Sequence, residues 1–128
     1  MEGPRYPCPC CGYVVFTTGP GSYDSCPMCG WEDDDVQLRY PAYAGGANTV
    51  SLLAAQRNYA DLGASDAHRL DYLASPRPSE ARDPSWRPLD EGRDAKVLNL
   101  AVNQEPWPAD SADLYYWRRP CGSDSAVC

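Results

Sequence analysis

Two short cysteine units constrain this chain more than any other feature: Cys8-Pro9-Cys10-Cys11-Gly12 and Cys26-Pro27-Met28-Cys29-Gly30. Two residues between cysteines let one tight turn aim both sulfurs at a single point. A tetrahedral ion with metal–sulfur bonds near ~2.3 Å accepts two such pairs. Proline fixes the entry to each turn. Glycine after the second cysteine permits positive φ, so that backbone N–H groups can point at the sulfurs and stabilise thiolate charge. Disulfides or idle thiols would not explain the repeated Pro and Gly. The spacing therefore predicts a four-sulfur site at Cys8, Cys11, Cys26 and Cys29, holding Zn²⁺, with iron as the alternative. All four positions are filled by sulfur. No position is left for an activated water, which favours a structural ion over a catalytic one.

The chain has seven cysteines, an odd number that fits a disulfide framework poorly. Paired Cys-x-x-Cys spacing in a reducing compartment points to metal or redox chemistry instead. Cys10, inside the first unit, is read as a bystander that points away from the metal. Substitution for Cys8 or Cys11, or service as a reactive thiol, are the other readings. Cys121 and Cys128 lie at the polar C-terminus without partners at ligand spacing and read as free thiols. Tyr6, Tyr13, Phe16, Tyr23 and Trp31 surround the two units and are expected to form a small core that screens the metal.

The expected fold class is α+β: a small N-terminal zinc-ribbon-like β-hairpin, a few short helices and a late strand. Tyr13–Thr18 is β-branched and aromatic, and Gly19-Pro20-Gly21 marks a turn after it. Ser22-Tyr23-Asp24 is the predicted return strand, which would put both cysteine pairs at one end of the hairpin. Ser51 caps a predicted helix whose Leu52, Ala55, Tyr59 and Leu62 share a face, and Gly63 ends it. Ser65 is expected to cap a shorter second helix, with Ala67, Leu70 and Leu73 or Ala74 toward the core. Residues 75–88 read as a surface connection. Asp94–Val102 reads as a helix with Val97, Leu98, Ala101 and Val102 inside, or as a short strand. Leu114-Tyr115-Tyr116-Trp117 reads as a strand. With 13 Pro and 10 Gly interrupting it, the chain is expected to form one loop-rich domain over residues 1–119. Its parts are 1–47, 48–75 and the C-terminal 76–119, and residues 120–128 form a flexible tail.

Formal net charge is −7, and an ion held by four thiolates would add about two more negative charges. Such a surface repels a phosphate backbone, so nucleic acid is not the expected partner. It suits a basic protein, through steering of the encounter. Glu32-Asp33-Asp34-Asp35 is read as a solvated acidic loop, with a contact for a basic partner as the other reading. No stretch approaches the ~20 apolar residues of a membrane helix. Met1-Glu2-Gly3-Pro4-Arg5 lacks the pattern of a leader peptide, and a cytoplasmic location is expected. His68 is the only histidine, and no Gly-rich phosphate loop or nucleophile elbow occurs, so the chain is not expected to be an enzyme.

Several separated motifs together resemble a known family. They are Tyr6-Pro7-Cys8-Pro9-Cys10-Cys11-Gly12-Tyr13, then Tyr23-Asp24-Ser25-Cys26-Pro27-Met28-Cys29-Gly30-Trp31-Glu32-Asp33-Asp34, then Gly45-Gly46-Ala47-Asn48 and Ser51-Leu52. In this order they resemble the bacterial cysteine-rich CPCC domain family, over about residues 5–75, including Asn58-Tyr59 and Gly63-Ala64. The resemblance implies a small zinc-ribbon-like protein with an immunity or interaction role, such as neutralising a toxin. The cysteine layout is also similar to the iron-binding, rubredoxin-like segment of rubrerythrins, which implies electron transfer as the alternative. Beyond Pro88 the chain departs from the family pattern.

Overall fold

Each cysteine unit folds as the turn of its own hairpin. The computed structural model describes residues 5–73, 81–101, 103 and 106–118. Strand β1 (Tyr6–Pro7) pairs antiparallel with β2 (Val14–Phe16), Tyr6 opposite Phe16 and Pro7 opposite Val14. Between them the Cys8 N–H donates to Tyr13 O at 2.8 Å and the Gly12 N–H to Cys8 O at 2.7 Å. The second unit repeats the pattern. The Cys26 N–H donates to Trp31 O at 2.9 Å and the Gly30 N–H to Cys26 O at 2.8 Å. Gly12 and Gly30 take φ of 82° and 86°, the left-handed region that glycine enters without strain.

The expected N-terminal hairpin is present, and with the helices below it makes the chain mixed α+β. Its partner strand differs from the expectation. Ser22-Tyr23-Asp24 does not return along Tyr13–Thr18; the Tyr23 N–H donates to Asp33 O, and the Asp33 N–H to Asp24 O, both at 3.0 Å. The cysteine turn itself reverses the chain, so each flank pairs with the other flank of the same unit.

The acidic run is a folded element, not the solvated loop expected. Helix α1 spans Asp35–Arg39, and the Asp34 carboxylate caps it by accepting from the Val36 N–H at 2.8 Å and the Gln37 N–H at 3.2 Å. The other Asp34 oxygen accepts from the Ala47 N–H at 2.9 Å. Asp33 accepts from the Ser22 hydroxyl at 2.7 Å. Asp33 and Asp34 are 2% and 4% exposed, so their charge is spent inside the fold. Burial raises the Asp33 carboxyl above the usual carboxylate range, against the Ser22 hydrogen bonds that lower it.

Gln37 carries the next layer. Its amide nitrogen donates to the carbonyls of Tyr43, Asn48 and Val50, and its oxygen accepts from the Asn48 N–H and side-chain amide. Asn48 also exchanges two bonds with the Glu32 backbone, each 2.9 Å. A Cβ on Gly46 would stand 2.6 Å from Asp34 Oδ2. Gly46-Ala47-Asn48 is thus the strip of loop that locks α1 to the flank of the second cysteine unit.

Helix α2 (Leu52–Leu62) begins where expected: Ser51 Oγ accepts from the Ala54 N–H at 3.1 Å, and Gly63 ends it at φ 82°. Leu52 and Ala55 are buried and Tyr59 half-buried, but Leu62 is exposed, and Gln56 takes its place inward. The second helix is a 3-10 helix, Ala67–Tyr72, capped by Asp66 rather than Ser65. The Ser65 N–H is committed to Cys29 O at 2.7 Å, and Ala67 and Leu70 are exposed. Ala74 lies outside the described residues.

The described residues of the C-terminal part bond back to the N-terminal half, Leu89 to Gln56, Asn103 to Arg39 and Tyr115 to Pro7. Helix α3 covers only Ala95–Leu98; Val97 and Leu98 are half-buried, Ala101 is exposed, and Val102 lies outside the described residues. The late strand does not form. Leu114 instead ends one 3-10 helix, Ser111–Leu114, and Tyr116 and Trp117 open another, Tyr116–Arg118, with an extended Tyr115 between them. Leu114, Tyr115 and Tyr116 are buried in succession, whereas a strand sends neighbours to opposite faces. Both phenols are tethered: Tyr115 donates to Pro7 O at 3.0 Å, and Tyr116 to Arg87 O. The expected tail, residues 120–128 with Cys121 and Cys128, lies outside the described residues. Among those described, no helix is long and apolar enough to cross a membrane.

Asp83 ties the C-terminal part together and gives it an acid sensitivity. Burial opposes its charge, but bonds from Ser85, Arg118 and Trp117 win, and its pKa falls to about 2. The folded value lies below the ordinary ~3.9, so the stabilisation is complete above that pH and is lost as pH falls through about 2. It amounts to roughly 2 kcal/mol. Tryptophan fluorescence followed from pH 5 to 2 should report a change in this window, and Asp83→Asn should remove that component.

Candidate metal centre

The four predicted ligands converge. One sulfur from each of Cys8, Cys11, Cys26 and Cys29 lies within 4.8 Å of the others, and all four residues are at most 1% exposed. Cys8 Sγ stands 3.6 Å from Cys29 Sγ, and Cys11 Sγ 3.7 Å from Cys26 Sγ. A disulfide needs ~2.05 Å, so these are separate thiols. A tetrahedron with ~2.3 Å metal–sulfur bonds has edges of about 3.8 Å. The donor set and its spacing fit a tetrahedral thiophilic ion.

The electrostatics without an ion are those of a crowded thiol cluster. Burial pushes the Cys8 and Cys29 thiols well above the ordinary value. Cys26 moves the other way, because Cys11, Cys29 and Cys8 all hydrogen-bond to it and the Met28 N–H points at its sulfur from 3.3 Å. A divalent cation at the centre would bind the sulfurs as thiolates, which makes ion uptake weaken as pH falls.

Cys10 is buried at 1% exposure but stands outside the group of four. Burial raises its thiol above the ordinary value, partly offset by a hydrogen bond with Cys29. A thiol this deeply buried has little access to reagents in solution. Of the five aromatic residues expected around the site, Phe16 and Trp31 are buried and Tyr6 and Tyr13 half-buried, but Tyr23 is 55% exposed. His68 faces solvent, bonded to Asp66 at 2.9 Å.

Sequence reasoning missed the groups that back the site. The Pro9 carbonyl accepts from Gln56 Nε2 at 2.9 Å and from Trp86 Nε1 at 3.0 Å. Cys11 O accepts from Arg82 Nε at 2.9 Å, and Gly12 O from the Asp83 N–H at 2.8 Å. Residues 81–87, expected as a surface connection, lie along the first unit. No local pattern signals contacts so remote in sequence.

A family model for cysteine-rich CPCC proteins matches residues 6–80. The chain belongs to that family. The matched region holds all four converging cysteines and the Gly46-Ala47-Asn48 lock, and it ends just before the segment that covers the first unit. No curated protein matches the chain. As a CPCC protein, it carries a four-cysteine cluster that could hold a metal ion.

Proposed function

We propose that this CPCC protein is a non-enzymatic zinc protein whose folded surface binds another protein, and that the partner is a basic toxin that it neutralises. The observation that carries the metal half is the closed, buried set of four sulfurs, which gives zinc a full tetrahedral shell and leaves no position for a reacting water. Zinc there stiffens the N-terminal part, and Cys8, Cys11, Cys26 and Cys29 are its ligands.

Two features support the binding half. Net charge is −7. Val36, Tyr40, Tyr43 and Leu100 line an open apolar groove of about 290 Å³, and the half-exposed Trp107 packs edge-on against Tyr40. Aromatic and aliphatic groups in a shallow groove within an acidic surface suit a basic partner with an apolar anchor. Asp33 and Asp34 do not serve this contact; exposed acids such as Asp24 and Asp61 are the available charges. The test is capture on the immobilised full chain at low and moderate salt. Recovery of a basic toxin-like protein whose toxicity the chain suppresses supports the reading, and the absence of any basic partner at both salts overturns it.

The same four sulfurs also suit iron, which would make the protein an electron carrier. A red protein with visible charge-transfer bands from unsupplemented cells would favour that reading over zinc.

A further inference from the structure

The two cysteine units are covered differently. Over the second, the aliphatic part of Arg69 lies against Gly30, where a Cβ would stand 2.7 Å from its Cδ, and the Ser65 N–H bonds Cys29 O. Over the first lies a whole segment, residues 81–87, that belongs to none of the family match. The Val14 N–H donates to Ala81 O at 2.9 Å, Tyr13 bridges antiparallel to Arg82, and the Asp83 N–H reaches Gly12 O. The Trp86 ring rests directly on Gly12, where a Cβ would come within 2.5 Å of it.

Arg82 holds the centre of this cover. Its guanidinium carbon stands 4.9 Å from the Tyr13 ring centroid and 5.4 Å from that of Trp86, so the cation lies between two π faces. From there Nε donates to the carbonyl of Cys11 itself. An ion held by four thiolates carries a net charge of about −2. A cation bonded to the backbone of one ligand opposes that charge, and the two rings hold its guanidinium over the Cys11 carbonyl.

We propose that residues 81–87 are a retaining strap for the metal and that Arg82 is its positioning residue, slowing release of the ion by holding a cation on the first cysteine unit. This rests on the reading that the four cysteines bind metal. The strap works through geometry: it prevents the Cys8–Gly12 turn from opening, which the ion must await before it leaves. The second unit has no equivalent guanidinium bonded to a ligand backbone among the described residues; Arg69 turns its charge toward Glu32 at 3.5 Å.

The experiment follows zinc transfer from the full chain to a chromophoric chelator in wild type, R82Q, R82K and R57Q. Arg57 pairs with Glu91 at the surface, so R57Q removes the same charge without touching the strap. R82Q should release zinc about tenfold faster, the lower end of what loss of a partner supporting a metal ligand costs. R57Q should match wild type, and R82K, which restores the cation without the planar stack, should fall between. Release from R82Q at the wild-type rate, equal acceleration by R57Q, or R82K as fast as R82Q would each overturn the proposal. A wild-type chain that takes up no zinc would instead overturn the metal reading beneath it, and the strap's role with it.

Discussion

Cys26→Ser should lower zinc affinity more than a hundredfold, whereas Cys10→Ala should leave the ion in place. Structural zinc sites of four ligands supply about 10–16 kcal/mol, and one ligand of four accounts for roughly 3 kcal/mol or more, each 1.4 kcal/mol being tenfold in affinity. Serine cannot ionise near neutral pH. The loss falls on a sulfur that stands 3.7 Å from Cys11 Sγ and accepts the Met28 N–H at 3.3 Å, so both contacts go with it. Cys10 is equally buried but stands outside the group of four, so its truncation leaves only a small cavity costing about 1 kcal/mol. Competition against a chelator of known affinity measures both. Equal losses in the two variants would mean that Cys10, not the expected set, completes the site.

Gln37→Leu should destabilise the protein by roughly 3–5 kcal/mol without touching a cysteine. Leucine fills a similar volume but makes none of the bonds. The carbonyls of Tyr43, Asn48 and Val50 lose their donor and the Asn48 amides lose their acceptor, with Gln37 itself 0% exposed. Buried groups left without partners cost about 1–3 kcal/mol each, only part of which relaxation and entering water recover. The melting temperature of the zinc-loaded protein should fall by more than about 10 °C. Val36→Ala, one residue earlier and 37% exposed, should stay within about 0.5 kcal/mol of wild type. A mild Gln37→Leu would mean that the loop around Gly46 is not locked to α1 in the way described.

The convergence of the four cysteines was legible because the chemistry of a tetrahedral site dictates both residue type and spacing within a few consecutive positions. Ser51 and Gly63 were legible for the same reason: a cap is a local bond between neighbours. The pairing of the strands was not, because Gly19-Pro20-Gly21 looks like a turn while the cysteine units themselves reverse the chain. The acidic run misled in a similar way. Asp34, followed by Gln37 and Leu38, carries the signature of a helix start, and charge density masked it. The aromatic run Leu114–Trp117 has strand propensity, but three successive buried side chains, two of them anchored through their phenols, are satisfied by 3-10 turns instead. The strap had no local signal. Arg82 and Trp86 act on carbonyls more than 70 residues earlier, and only the folded chain brings them there.

The most direct test of the central claim is elemental analysis of the full chain purified without added metal, together with its visible spectrum. About one zinc per chain, with no colour, is the result the four-sulfur geometry predicts. A folded chain with no bound metal, and with those thiols freely titratable, would contradict it.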